Sequence, residues 1–142
     1  MKKTALLILT TLALASCAQT SGQKNLVAQD LENHRFVLQS VNGSPYVAKD
    51  SGKVPELGFG EKMQIFGAMC NRFVGQGTLN GDQLKAEGLG MTRMMCDDPQ
   101  LNALDNQLTQ MLNNGARISF NGQQLTLERD QYTLVYTLAR PQ

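Results

Sequence analysis

Ala116-Arg117-Ile118-Ser119-Phe120-Asn121-Gly122-Gln123-Gln124-Leu125-Thr126-Leu127 is the stretch that decides the fold. Its two flanks alternate apolar and polar residues with the strand period of two. Between them stands Asn121-Gly122, a pair that accepts positive φ and favours a tight hairpin turn. A third alternating run, Tyr132-Thr133-Leu134-Val135-Tyr136-Thr137-Leu138, follows at once. Three such runs in succession read as an antiparallel meander with one apolar face.

Immediately upstream the period changes. Asp98 is a natural helix N-cap, and Pro99 suits the first helical position, where a missing N–H costs nothing. Leu101, Leu104, Leu108, Met111 and Leu112 then fall on one helical stripe, and Asn113-Asn114-Gly115 supplies the stop. Before the helix the chain returns to short apolar or alternating runs separated by turn residues. Arg35–Val41 is a good strand closed by Asn42-Gly43-Ser44-Pro45, with a weak strand at Tyr46-Val47. Pro55–Phe59 is a strand that Pro55 confines to an edge or to its own start. Met63–Gly67, Phe73–Leu79, Gln83–Leu89 and Gly90–Met95 continue the series, and Asp30–His34 fits a single helical turn. Gly75, Gly77, Gly88 and Gly90 signal bulges or close backbone approach. The expected fold is therefore α+β and mostly β: a curled antiparallel sheet or barrel-like sandwich of seven or eight short strands with one helix. One domain, residues 30–142, accounts for the pattern.

The first residues read as an address. In MKKTALLILTTLALASC, Lys2 and Lys3 precede an apolar run, Ala5–Leu14, that is about half the ~20 residues a membrane-spanning helix needs. Leu14-Ala15-Ser16-Cys17 resembles a bacterial lipobox: small residues suit the peptidase cleft, and the Cys17 thiol accepts the lipid. The alternatives are an ordinary signal peptide cut nearby or an uncleaved apolar anchor. On the lipobox reading, residues 1–16 are a leader and residues 17–29 a lipidated cysteine with a flexible tether. Several acyl chains at Cys17 would anchor the protein stably. Ala18 in place of an aspartate favours the periplasmic face of the outer membrane by resemblance to bacterial lipoproteins.

With Cys17 assigned to lipid, Cys70 and Cys96 are an even pair in an oxidising compartment, where a structural disulfide is the default. Closing about 26 residues of chain is worth roughly 3–4 kcal/mol in the chain-entropy picture. Composition removes other classes of function. Loss of the leader leaves 11 basic against 12 acidic residues in place of 13 against 12, so the formal charge moves from +1 to −1. That balance gives no footing for nucleic acid, and a mean hydropathy of −0.26 excludes a polytopic membrane protein. A single histidine, His34, excludes sites built from several imidazoles.

Met69-Cys70-Asn71-Arg72-Phe73 with Gly75, and Met91-Thr92-Arg93-Met94-Met95-Cys96, resemble the paired signatures of the META domain. His34-Arg35-Phe36-Val37-Leu38 with Val41-Asn42-Gly43, Phe59-Gly60-Glu61-Lys62-Met63, and Asn102-Ala103-Leu104-Asp105-Asn106 match as well. The likeness runs from Asp30 to Leu138. It implies an α+β domain dominated by antiparallel strands, exported or lipid-anchored, without enzymatic activity or cofactor. Through heat-inducible members of the family it also implies a part in heat and envelope-stress tolerance.

Within those motifs the reading of the residues is structural. Cys70 and Cys96 form the disulfide, Asn71 and Gly75 provide turn chemistry, Thr92 is a strand hydroxyl, and Met94 belongs to the same framework. Met63, Met69, Met91, Met94, Met95 and Met111 are soft thioethers that could take Cu(I), but methionine is also the usual filler of irregular apolar gaps. Asp97 and Asp98 flank a helix start, which already explains them, and no nucleophile neighbours His34 in sequence. The expectation is a monomeric, non-catalytic lipoprotein. It would be held to the membrane at Cys17 and would bind an envelope protein. Alternatively it would hold a lipid or other hydrophobic ligand in an apolar cavity.

Overall fold

Eleven strands form one antiparallel sheet in the computed structural model, which describes residues 25–49 and 53–140. The leader, Cys17 and most of the tether lie outside the described residues. A short helix α1 (Ala28–Leu31) leads into β1 (His34–Val41), β2 (Ser44–Pro45) and β3 (Glu56–Phe59). After a 3-10 turn at Glu61–Met63 come β4 (Gln64–Ala68), β5 (Arg72–Gln76), β6 (Thr78–Asn80), β7 (Gln83–Lys85) and β8 (Gly90–Met91). Helix α2 (Pro99–Asn114) then precedes β9 (Ala116–Phe120), β10 (Gln124–Arg129) and β11 (Tyr132–Leu138).

The strands lie in the order β6-β7-β9-β10-β11-β1-β3-β4-β5-β8, with β2 paired to β1 beside this path. Strands β5 and β6 stand near opposite ends of that order, yet only Gly77 separates them in sequence. The sheet must therefore curl until its ends meet. At this corner Gly77 is buried, and a Cβ there would stand 2.7 Å from both the Ile65 side chain and the Met63 carbonyl, so the bend needs glycine.

The C-terminal meander follows the alternation of its sequence. Leu125 and Leu127 on β10 face Leu134 and Tyr136 on β11, and all four are buried. The helix is likewise where its signals place it. Asp98 accepts a hydrogen bond from the Gln100 N–H at 2.9 Å, and Gly115 ends the helix at φ 91°. The Arg129 guanidinium donates to the carbonyls of Asn114 and Gly115, which have no helical partner. Leu104, Leu108, Met111 and Leu112 carry the helix into the hollow of the sheet. There they join Phe36, Leu57, Phe59, Ile65, Phe73, Leu84, Ile118, Leu134 and Tyr136 in one contiguous core.

The strand count is a correction: eleven in place of seven or eight. Strands β2, β6, β7 and β8 are two or three residues long, too short for alternation to be read. Gly77 divides the run Phe73–Leu79, while Gln83–Leu89 keeps strand geometry only to Lys85 and Gly90–Met95 only to Met91. The weak strand lies at Ser44–Pro45 in place of Tyr46-Val47, and the first helical turn at Ala28–Leu31 in place of Asp30–His34. Pro55 precedes β3, as a strand start, and β3 itself is interior, between β1 and β4.

Candidate functional site

The motif residues converge where β5 begins. Cys70 is joined to Cys96 with an S–S distance of 2.08 Å, which ties the segment before β5 to the segment before α2. Asn71 and Asp105 are the buried polar residues among those described, only 7% and 6% exposed. Burying a carboxylate is costly unless its oxygens are occupied. Here Asp105 accepts from the backbone N–H of Cys70 at 3.0 Å, that of Asn71 at 3.1 Å, and the Asn71 side-chain amide at 2.8 Å.

Asn71 uses its other side on the loop after β8. Its amide oxygen accepts from the Met94 N–H at 2.6 Å and the Thr92 hydroxyl at 3.0 Å. Its amide nitrogen also donates to the Met94 carbonyl at 3.0 Å. The Thr92 hydroxyl in turn accepts from the Arg72 N–H at 3.1 Å. One turn along α2, the Asn102 amide exchanges two hydrogen bonds with the Cys96 backbone. Disulfide, Asn71 and Asp105 thus form a knot joining strand, loop and helix, in which the donors and acceptors saturate one another.

Asn71 is therefore a buried hub, beyond the turn chemistry its sequence suggests. Thr92 lies one residue past the end of β8, and its hydroxyl serves the knot rather than a strand. Gly75 lies on β5, where a Cβ would stand 2.6 Å from the tip of the Leu89 side chain. Asp105 has no role in the sequence reading beyond its place in the helix motif. Yet Leu101, Asp105, Leu108 and Leu112 share one helical face, and a carboxylate on an apolar stripe is the signal that points to it.

Beside the knot, the outer face of the sheet departs from the usual pattern of apolar inside and polar outside. Ile65, Phe73 and Leu57 point inward and are buried, so Phe66, Ala68 and Val74 point outward. Phe66 lies across Gly58 of β3, where any Cβ would collide with its ring. Val74 is 48% exposed and Val54 43%. With Met91 and Met94 they line an open groove of about 1290 Å³ that reaches the disulfide at Cys70. The rim carries charge. Arg35 is paired with Glu56, whereas Lys53 and Arg72 are exposed and form no ion pair among the described residues.

The remaining sequence candidates scatter. Met63, Met69 and Met111 are core residues, while Met94 and Met95 stand in solvent, so the six thioethers do not make one ligand set. Among the described residues no group of three or more His, Cys, Asp and Glu side chains gathers to hold a metal ion. His34 begins β1, and its Nδ1 is buried without a hydrogen-bond partner. Tyr136 is fully buried with its hydroxyl unpartnered, and burial pushes the phenol far above its ordinary range. Burial, followed by the nearby Asp98 charge, also raises Tyr46. No helix among the described residues is long and apolar enough to cross a membrane.

Comparison with known proteins places this arrangement among relatives. The META domain family profile matches residues 29–141. The chain is 48% identical over 139 residues to the "Heat shock protein HslJ" of Escherichia coli (strain K12), covering 98% of this chain and 97% of that protein. A structure solved by NMR is 50% identical and superposes with a TM-score of 0.73, covering 79% of this chain and 94% of that one. A second, from Burkholderia xenovorans, shares the fold at 22% identity with a TM-score of 0.62, covering 80% and 86% of the two chains.

Proposed function

The chain belongs to the META domain family, and from that premise we propose that it is a stress-response lipoprotein of the bacterial envelope. In this reading Cys17 is lipidated and holds the protein on the periplasmic face of the outer membrane. The disulfide-braced domain binds a protein partner there and does no covalent chemistry. The name of the heat-shock relative supports the stress role.

The observation that carries the binding role is the contrast at the start of β5. The buried polar groups of the knot are saturated by one another, so none is left over to act on a substrate. Beside it apolar side chains line an open groove in which Val54, Val74 and Met94 are exposed among the described residues. Apolar side chains gathered along one open groove support a binding surface there. A hydrophobic ligand held in an internal cavity is the weaker reading. The Phe, Met and Leu side chains that would line such a cavity are 0–5% exposed in one contiguous core.

Anchoring is tested by exporting the domain with Cys17→Ala behind an ordinary cleavable leader, so that it is soluble in the periplasm. The expected result is loss of protection against heat and envelope stress at equal abundance. Protection equal to that of the wild-type chain would overturn the anchored mechanism.

A further inference from the structure

We infer that the outer face of β3, β4 and β5 is a docking surface for a polypeptide segment that combines apolar and acidic side chains. The inference rests on the reading above that the domain binds a protein, and it names the surface and the chemistry of the partner.

Three observations carry it. First, the apolar side chains of this face are patterned. Phe66, Ala68 and Val74 take the outward positions of adjacent strands, where Gln64 and Gln76 mark the polar residues usual on such a face. Gly90, opposite Val74 on β8, adds no side chain to cover it. Second, the charge beside the patch is one-sided. Among the described residues the single carboxylate on the rim, Glu56, is occupied by Arg35, which leaves Lys53 and Arg72 as cations without partners. Third, the groove runs toward the Glu56–Ala68–Arg72 end of its strands, whereas the chain enters at the other end, where the Asn33 N–H bonds the Phe59 carbonyl. A tether at α1 therefore leaves this end of the face directed away from its own point of attachment.

These features separate the occupants. A second copy packed about a two-fold axis would set this rim against itself, with no free carboxylate among its described residues to answer Lys53 and Arg72. An acyl chain lying in so open a groove would keep one side in water, whereas ligand sites for small apolar molecules bury most of the ligand. A protein segment brings its own apolar surface to cover the patch and its own carboxylates to meet the rim.

The test uses the full lipidated chain in nanodiscs of neutral phospholipid. The probe is a fluorescent octapeptide alternating glutamate with phenylalanine and valine, compared with its lysine counterpart, both read by anisotropy. Saturable binding of the acidic peptide is expected, about tenfold tighter than the lysine peptide and weakened by salt. Arg72→Glu, an exposed side chain without side-chain partners, should weaken binding by about tenfold with an unchanged melting temperature. Val74→Glu should do the same, and if it unfolds, the Arg72 variant alone decides the question. Equal binding of the two peptides, binding unaffected by Arg72→Glu, or binding equal to that of empty discs would overturn the inference. Self-association lost in Val74→Glu would assign the face to a second copy instead. Displacement of the peptide by phosphatidylglycerol vesicles would assign it to a membrane. Repeating the titration with the soluble Cys17→Ala chain reads the face without the anchor, so its failure is distinguishable from failure of the anchoring experiment.

Discussion

The knot and the groove share the segment from Phe66 to Val74 and invert each other's chemistry. At Asn71 and Asp105 polar groups are buried and fully partnered; at Phe66 and Val74 apolar groups point outward, Phe66 half-buried and Val74 exposed. Removing a partner from the first region leaves charged or polar atoms stranded away from water, which costs folding free energy. Removing an apolar group from the second exposes less oil to solvent and costs little. The contrast separates what holds the domain together from what it offers to a partner.

The sharpest way to break this contrast is at Asp105. Asp105→Leu would strand the N–H groups of Cys70 and Asn71 and the Asn71 amide, and about 4 kcal/mol of stability should be lost in denaturant unfolding. The isosteric Asp105→Asn should lose about 3 kcal/mol, because its amide turns a donor toward donors. A loss under about 1 kcal/mol would mean that the knot is not what holds β5 to α2. Next in size is the disulfide. Cys70→Ser with Cys96→Ser together should cost roughly 3 kcal/mol, as closure of a loop with sequence separation 26 implies, and reduction of the wild-type chain should shift unfolding by a similar amount.

Smaller effects sharpen the comparison from the other side. Tyr136→Phe removes a buried hydroxyl that has no partner, so stability should be unchanged or rise by up to about 1 kcal/mol. A clear loss would reveal a partner for that oxygen. The smallest effect belongs to the groove: Arg72→Gln and Val74→Thr should stay within about 0.5 kcal/mol of wild type by thermal unfolding. A larger loss would make the outer face part of the scaffold and erase the distinction.

How much of this was legible in the sequence follows from the range of the interactions. Asn121-Gly122, the Asp98-Pro99 start and the Gly115 stop act within a few residues, so the meander and α2 could be read directly. The short strands β6 to β8 exist because the sheet curls at Gly77 and offers them neighbours, which no local run displays. The knot is equally non-local, since Asn71 and Asp105 are separated by 34 residues: Asn71 alone reads as a turn residue, and Asp105 is marked only by its place on the apolar stripe of α2. The groove was hidden for another reason. Ile65-Phe66-Gly67-Ala68 is a continuous apolar run, and only the pairing of Gly58 with Phe66 shows which of its side chains face outward.

The most direct measurement pairs stability with stress survival for one variant of the groove. Val74→Glu is expressed in the full chain at matched abundance, its melting temperature is recorded, and cells carrying it are challenged with heat. The account predicts a melting temperature close to that of wild type together with loss of protection. Full protection by a folded Val74→Glu protein would contradict it.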